Sequence, residues 1–375
     1  MSVGGGSGGL KSEAGTQAAG GHPEPSGSPP VDRAAERAAA GRRGRRAVLV
    51  DAALRFRELG ILLVLALVVA VTTAYNARFV SAQSIRDLLL NASIIALLTV
   101  GQTLVVITRN VDLSVGSVLG LTAFMTGDLM AGHQRLPVVV ALLAGLGFGA
   151  ACGAANGVVT AAARVPSLVV TLGTLYVFRG LDYAWAGGRQ INAANLPDSL
   201  LGLGSGSFLG VPFLVAVTVV GVAVAGYALR SFRSGRELYA IGSNPDAAVL
   251  AGIPVGRRVL AAFVASGAVA GLAGALWTAR FGTVDATAGT GFELQVIAAV
   301  VVGGVAIFGG SGSVAGAALG ALLLSTIGSA LVVLKVPSFW LQAVDGALLI
   351  GAIALDRLVG LRVASALRQR SVRRG

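Results

Sequence analysis

From Leu59 onward the chain alternates long apolar runs with short polar breaks. The runs fall near 59 to 75, 88 to 107, 113 to 131, 136 to 160, 166 to 186, 208 to 229, 258 to 280, 291 to 308, 313 to 334 and 338 to 356. Crossing roughly 30 Å of hydrocarbon takes about 20 helical residues. Most of the runs have that length, so the pattern predicts an all-α polytopic bundle of about ten transmembrane helices over residues 51–363. Residues 1–50 (with GGGSGG, PEPSGSPP and GRRGRR) carry no apolar periodicity and read as a disordered basic tail, and 364–375 form a second basic tail. No apolar core begins before about residue 59, so the first run reads as a retained anchor rather than a cleaved signal.

Composition agrees with a chain in lipid. Hydrophobic residues make up 55% and charged residues 12%, about half the charged share of a soluble domain. The 54 glycines suit helices whose backbones approach closely. A net charge of +12 would suggest nucleic-acid binding in a soluble protein. Here most basic residues sit in the two tails and in the loop between the sixth and seventh runs, which by the positive-inside rule places both termini in the cytoplasm. The expected surroundings are membrane lipid, with no nucleic acid as a partner. Cys152 is the single cysteine, and His22 and His133 are far apart, so neither an intrachain disulfide nor a metal cluster is expected. Two echoes, V-G with G-S-V at 100 and 116 against 302 and 312, and V-P-S at 165 against 336, hint at an internal repeat, although their spacings differ.

One break carries unusual chemistry. Residues 109 to 117 read R-N-V-D-L-S-V-G-S, and the apolar stretch that follows runs only from Leu113 to Thr126 before Asp128. At about 1.5 Å per residue that helix falls short of the membrane core. Polar backbone at membrane depth survives only where it is buried in protein or lines a watery cavity. Two readings stay open: Asp112 caps the next helix, or it lines a hydrophilic path. Asn91, Gln102, Thr103, Asn110, Ser114, Asn156, Thr171 and Thr174 join Asp112 as candidate pathway residues. They are amides and hydroxyls, which suits a hydroxyl-rich solute better than proton or ion coupling. Hydrogen bonding between helices is the plainer alternative for each.

The loop between the sixth and seventh runs contains a local helix signal. Asn244 is a good N-cap, Pro245 fits the first helical position, Asp246 complements the helix dipole and Gly252 can close the end, so a two-turn helix is expected over 245–251. So short a helix is marginal alone and wants a packing partner. It reads as a docking element for another protein or as a plain connector on the membrane surface. No phosphate-binding loop is present: G-G-S-G-G-L-K-S at 5 to 12 has Leu10 where glycine is required. The chain therefore offers no catalytic residues of its own, and any ATP is hydrolysed by another subunit.

Four motifs in this order carry a resemblance: GQTLVVITRNVDLSVGS at 101–117, ANG at 155–157, VPSLVVTLGTL at 165–175 and GSNPDAAVLAGI at 242–253. Together they resemble the permease subunits of ribose-type sugar ABC importers, over roughly residues 55–360. The resemblance implies a permease dimer, of one chain or of two related ones. It also implies an extracytoplasmic sugar-binding protein and two ABC ATPase subunits that hold ATP and Mg, with no cofactor in this chain. By the same likeness Ser243, Asn244, Pro245, Asp246, Ala247, Ala248 and Gly252 belong to a coupling helix that fits the ATPase, and the D-L-S-V-G segment to the translocation core. Many ribose-type members carry a Gly-rich pair before that segment, where this chain has Arg109 and Asn110. In this it is similar to rhamnose and autoinducer permeases, and a deoxyhexose such as rhamnose is the expected solute.

Rival classes leave weaker marks. An intramembrane enzyme needs acid, base, nucleophile or metal groups facing one cavity, and Asp112, Glu293 and Asp345 are scattered. An autonomous secondary transporter or channel would use Glu293, Asp285 and Asp345 for ion coupling. An amino-acid permease of the same importer class is the nearer rival.

Overall fold

The computed structural model describes residues 58–354 except 164, 338, 339, 341, 345, 352 and 353. The two predicted tails and Asp345 lie outside the described residues. Among the described residues the regular elements are helices, apart from a two-stranded hairpin and an isolated bridge between Ile191 and Val284. Helix α1 (Glu58–Tyr75) leads through a 3-10 turn to α2 (Ala82–Ile107), α3 (Val115–Gly132), α4 (Val138–Ala163) and α5 (Ser167–Ala186). A short α6 (Asp198–Ser205) and the hairpin of β1 (Ser207–Phe208) with β2 (Val211–Pro212) precede α7 (Phe213–Ser231). Then come α8 (Arg233–Ser243), α9 (Pro245–Leu250), α10 (Val255–Phe281), α11 (Phe292–Val302), α12 (Val314–Val333) and α13 (Gln342–Gly351).

Seven helices among the described residues, α1, α2, α3, α4, α7, α10 and α12, are long and apolar enough to cross a membrane. Helix α5 has the length, 20 residues, but carries Arg179 and Asp182. The run at 291 to 308 is not one helix: α11 stops after 11 residues at Val302. Gly304, Gly309, Gly310 and Gly312 then take positive φ and turn the chain through a loop that returns into α12. Parts of the predicted run 338 to 356 lie outside the described residues. Helix α2 begins earlier than its apolar run because Ser81 accepts the amide of Ser84 as an N-cap, which draws Arg86 and Asp87 into the helix.

Burial sorts the helices into core and periphery. Within its apolar window α2 is 89% buried, whereas α1 is 11% buried and offers the rest to lipid. Helix α10 is the second core element and packs on α4, α3 and α2. Its seam with α4 is made of small residues: Gly145, Gly149, Gly153 and Gly157 repeat every fourth position and face Phe263, Gly267 and Gly271. A Cβ on Gly149 would overlap the Gly267 carbonyl, and one on Gly153 the Phe263 carbonyl. With no hydrophobic effect between helices in lipid, such backbone-close packing is what holds them. The prediction is that Gly149→Val costs more than the ~1–3 kcal/mol of an ordinary overpacked site. It should lower the thermal midpoint of the detergent-solubilised protein, while Gly147→Ala, which meets nothing within 4 Å, should leave the midpoint unchanged.

Candidate functional site

Between the end of α2 and the start of α3 the chain runs irregularly from Thr108 to Ser114, and Asp112 within it is buried. Four helices, α2, α4, α5 and α10, reach the polar groups of this segment. The Asp112 carboxylate accepts the Ser114 amide at 3.0 Å and the Ser114 hydroxyl at 2.7 Å on Oδ1, and Ser266 of α10 at 3.3 Å on Oδ2. Gln102 of α2, with its amide oriented to match, donates to the Asp112 carbonyl at 3.1 Å and accepts the Asp112 amide at 3.3 Å. Asn156 of α4 donates to the Ser114 hydroxyl at 2.8 Å. From α5, Ser167 accepts the Val111 amide at 3.1 Å and Thr171 donates to the Val111 carbonyl at 3.2 Å.

Asp112 stands at the entrance to α3, where its side chain bonds the last amide before the helix. Ser114 occupies the N-cap position of α3 and makes no side-chain cap bond. Asp112 instead closes a turn over the backbone two residues ahead, the local bond that Asp side chains favour. The turn aims Ser114 at Asn156.

Among the predicted pathway residues, Gln102, Asp112, Ser114, Asn156 and Thr171 come together in this cluster. Thr103 bonds back to the Thr99 carbonyl at 2.6 Å and Thr174 to that of Thr171 at 3.3 Å, each within its own helix. Asn110 donates to the carbonyl and hydroxyl of Thr108, both at 3.0 Å. Asn91 is exposed, three turns before Gln102 on α2. Two cluster members escaped sequence reasoning. Ser266 sits in a Gly/Ala-rich helix where nothing local distinguishes it, and Ser167 belongs to the quoted V-P-S motif without having been given a role.

At one end of the bundle α8 and α9 form a bent pair. The predicted two-turn helix is α9, and it starts as the residues dictate: the Asn244 side chain accepts the Ala247 amide at 3.1 Å, and Pro245 takes the first helical position. Gly252 follows with φ +74°, a conformation that only glycine takes without strain. Ala248 packs inward, while Asp246, Val249 and Leu250 are exposed, Leu250 at 90%.

Helix α8, read as loop from the sequence, is amphipathic, with Leu238 and Ile241 buried. Three contacts hold it. Glu237 accepts Arg258 of α10 at 2.5 Å and Arg233 at 2.7 Å. Tyr239 donates to the Gly312 carbonyl at 2.9 Å. Arg109 donates from Nε to the Gly242 carbonyl at 2.6 Å and from Nη2 to the Ser243 carbonyl at 3.0 Å. The Arg258 hydrogen bond first, and then that of Arg233, holds the Glu237 carboxyl below the usual carboxylate range.

At the opposite end Arg179 of α5 binds the Ala286 carbonyl at 2.9 Å and the Ala288 carbonyl at 2.7 Å, and lies 3.6 Å from buried Asp182. Asp285 accepts the amide and hydroxyl of Thr287 at 2.8 and 2.6 Å, closing its own loop. Glu293 lies in the first turn of α11, where a carboxylate complements the helix dipole.

Residues 84–353, which begin within α2 and take in all of α13, match a family described as branched-chain amino acid transport system / permease component. The chain belongs to this permease family. It is 37% identical over 303 residues to the autoinducer 2 import system permease protein LsrC of Enterobacter sp. (strain 638), covering 81% of this chain and 87% of that protein. The protein of the same name from Klebsiella pneumoniae subsp. pneumoniae is 36% identical over 320 residues, 85% of this chain and 91% of its own. That from Escherichia coli (strain K12 / DH10B) is 36% identical over 300 residues, 80% and 86% of the two chains. No solved structure gives a significant match. The family makes this chain a transport subunit, and its apolar helices make it a multi-pass membrane protein.

Two outcomes follow for this permease. Asp112→Ala strips the partner from the Ser114 amide and hydroxyl, and should cost about 1–3 kcal/mol in the unfolding of the solubilised protein, whereas Asp112→Asn keeps Oδ1 and should cost less. Because Glu237 titrates below an unfolded glutamate of about 4.3, its contribution is complete above that pH and fades as pH falls through the lowered folded value. The stability gap between the parent chain and Glu237→Gln, followed by thermal melts, should be constant from neutral pH down to about 5 and shrink below about 4.

Proposed function

We propose that this permease is the membrane subunit of an ATP-binding-cassette importer for a small hydroxyl-rich solute, a monosaccharide or sugar-like molecule. The observation that carries the reading is α9. It is preceded by a proper N-cap, anchored by Ala248, and presents Asp246, Val249 and Leu250 to the exterior. A helix this short persists because α8 holds it out, and its exposed apolar pair suits the cleft of an ATPase subunit. In this reading the α8/α9 end is cytoplasmic, ATP and Mg reside on two partner ATPases, and an extracytoplasmic binding protein delivers the solute to the opposite end.

Helix α5 supports a path between two permease subunits. Its Gly173, Tyr176, Gly180 and Tyr183 share one face, with nothing within 4 Å of either glycine position, and Tyr176 is 70% exposed at the middle of the helix. A phenol hydroxyl facing lipid at that depth has no partner. A wet path or a second permease copy supplies one. The Asp112 cluster, joined from α5 through Ser167 and Thr171, then forms the wall behind that face. The amides and hydroxyls gathered around Asp112 favour a hydroxyl-rich solute, as do the relatives named for autoinducer 2 import. The family description favours a branched-chain amino acid instead.

The test is ATP-dependent uptake into proteoliposomes holding this chain with its ATPase and binding-protein partners, against labelled rhamnose, ribose, autoinducer 2 and leucine. Uptake of a sugar-like probe that needs every component is the expected result, and uptake of leucine alone would move the solute to the second reading. Asp246→Arg should lower that uptake by more than about fivefold with unchanged amounts of permease in the membrane. Full uptake in this variant would remove the docking role of α9.

A further inference from the structure

Arg109 holds an unusual backbone position. Its φ is +65°, the left-handed region that costs every residue but glycine, at the point where α2 ends. Its amide closes the last turn by donating to the Val106 carbonyl at 3.0 Å. A glycine would serve that turn with less strain, so the position supplies a side chain rather than a conformation.

What the side chain does is specific. Nε and Nη2 take two consecutive carbonyls, Gly242 and Ser243, at the C-terminus of α8, where the helix dipole favours a cation. The residue after Ser243 is Asn244, the N-cap of α9. On its other side, the backbone of Arg109 continues through Asn110 and Val111 into Asp112. One guanidinium therefore spans from the root of α9 to the start of the buried polar segment. A planar fork on two successive carbonyls sets orientation as well as distance, which an ammonium does not. The other two ties of α8 lead elsewhere, Tyr239 to the loop at Gly312 and Glu237 to α10. Packing around the tie leaves little slack: a Cβ on Gly242 would overlap the Ile107 carbonyl, and one on Gly309 would lie 2.6 Å from Cγ of Arg109.

We infer that Arg109 is the positioning residue through which movement of α9, driven by the ATPase, reaches the Asp112 segment and the helices that clasp it. The inference rests on the importer reading above. Any displacement of the α8/α9 junction pulls on the one segment whose hydrogen bonds engage α2, α4, α5 and α10 at once. Coupling then travels along a defined chain of contacts rather than through the bundle at large.

The test is to reconstitute the full transporter with the parent chain, Arg109→Gly, Arg109→Ala and Arg109→Lys. Uptake of labelled rhamnose, ribose and autoinducer 2, and of leucine, is measured together with ATP hydrolysis in the same vesicles. Arg109→Gly relieves the backbone and removes only the tie. It should hydrolyse ATP at close to the parental rate and lose about tenfold in solute moved per ATP, with Arg109→Lys recovering part of that ratio. Arg109→Ala should match Arg109→Gly in that ratio while accumulating less protein. An unchanged ratio in Arg109→Gly, or a fall in uptake and hydrolysis that merely tracks the amount of assembled complex, overturns the inference. A parent chain that hydrolyses ATP with its partners but moves neither these three probes nor leucine, or that moves them without ATP, defeats the importer reading itself, and the inference falls with it.

Discussion

Polar backbone placed between two hydrophobic helices has to find its partners inside the protein, because lipid supplies none. Residues 108–114 impose that demand here. Their needs are met by Gln102 from α2, Asn156 from α4, Ser167 and Thr171 from α5 and Ser266 from α10. Those side chains are short, so their helices have to come close around the segment. The glycine seam between α4 and α10 is what permits that approach: with Cβ atoms at Gly149 and Gly153 the two backbones would separate, and Asn156 and Ser266 would withdraw from the cluster with them. Packing and polar satisfaction are thus two sides of one arrangement.

The same segment gives the bundle its functional polarity. It starts at Arg109, tied to the root of the exposed helix α9, and ends at Ser114, the entry to α3. On the α9 side contacts are ionic and backbone-directed: Glu237 with two arginines, Arg109 on two carbonyls, Tyr239 on a third. On the other side α5 presents an unpartnered face of glycine and tyrosine. A close-packed interior does not deform continuously. It shifts between discrete arrangements, which is what a transport subunit requires.

Much of this was legible in the residues. Apolar runs of membrane length announce the long helices, and Asn244, Pro245, Asp246 and Gly252 announce α9 to within a residue of its end. The polar break at 109 to 117 announces itself as an anomaly. All of these are local signals, complete within a few residues of chain, since caps, turns and helical periodicity depend only on near neighbours. Even so, the Arg-rich face of α8 hides the helical spacing of Leu238 and Ile241, and Gly303 and Gly304, which follow the end of α11, sit unmarked within an apolar run.

What only the tertiary structure decided is which distant groups answer these local features. Nothing near Ser266 in sequence distinguishes it from other hydroxyls in small-residue helices, yet it meets Asp112. Nothing near Arg109 names Gly242 and Ser243 as its partners. The sequence by itself determined that long apolar helices dominate, where α9 begins and where the backbone would be in need. Which side chains meet that need depended on how closely the helices pack, a three-dimensional quantity fixed by the absence of Cβ atoms along one seam.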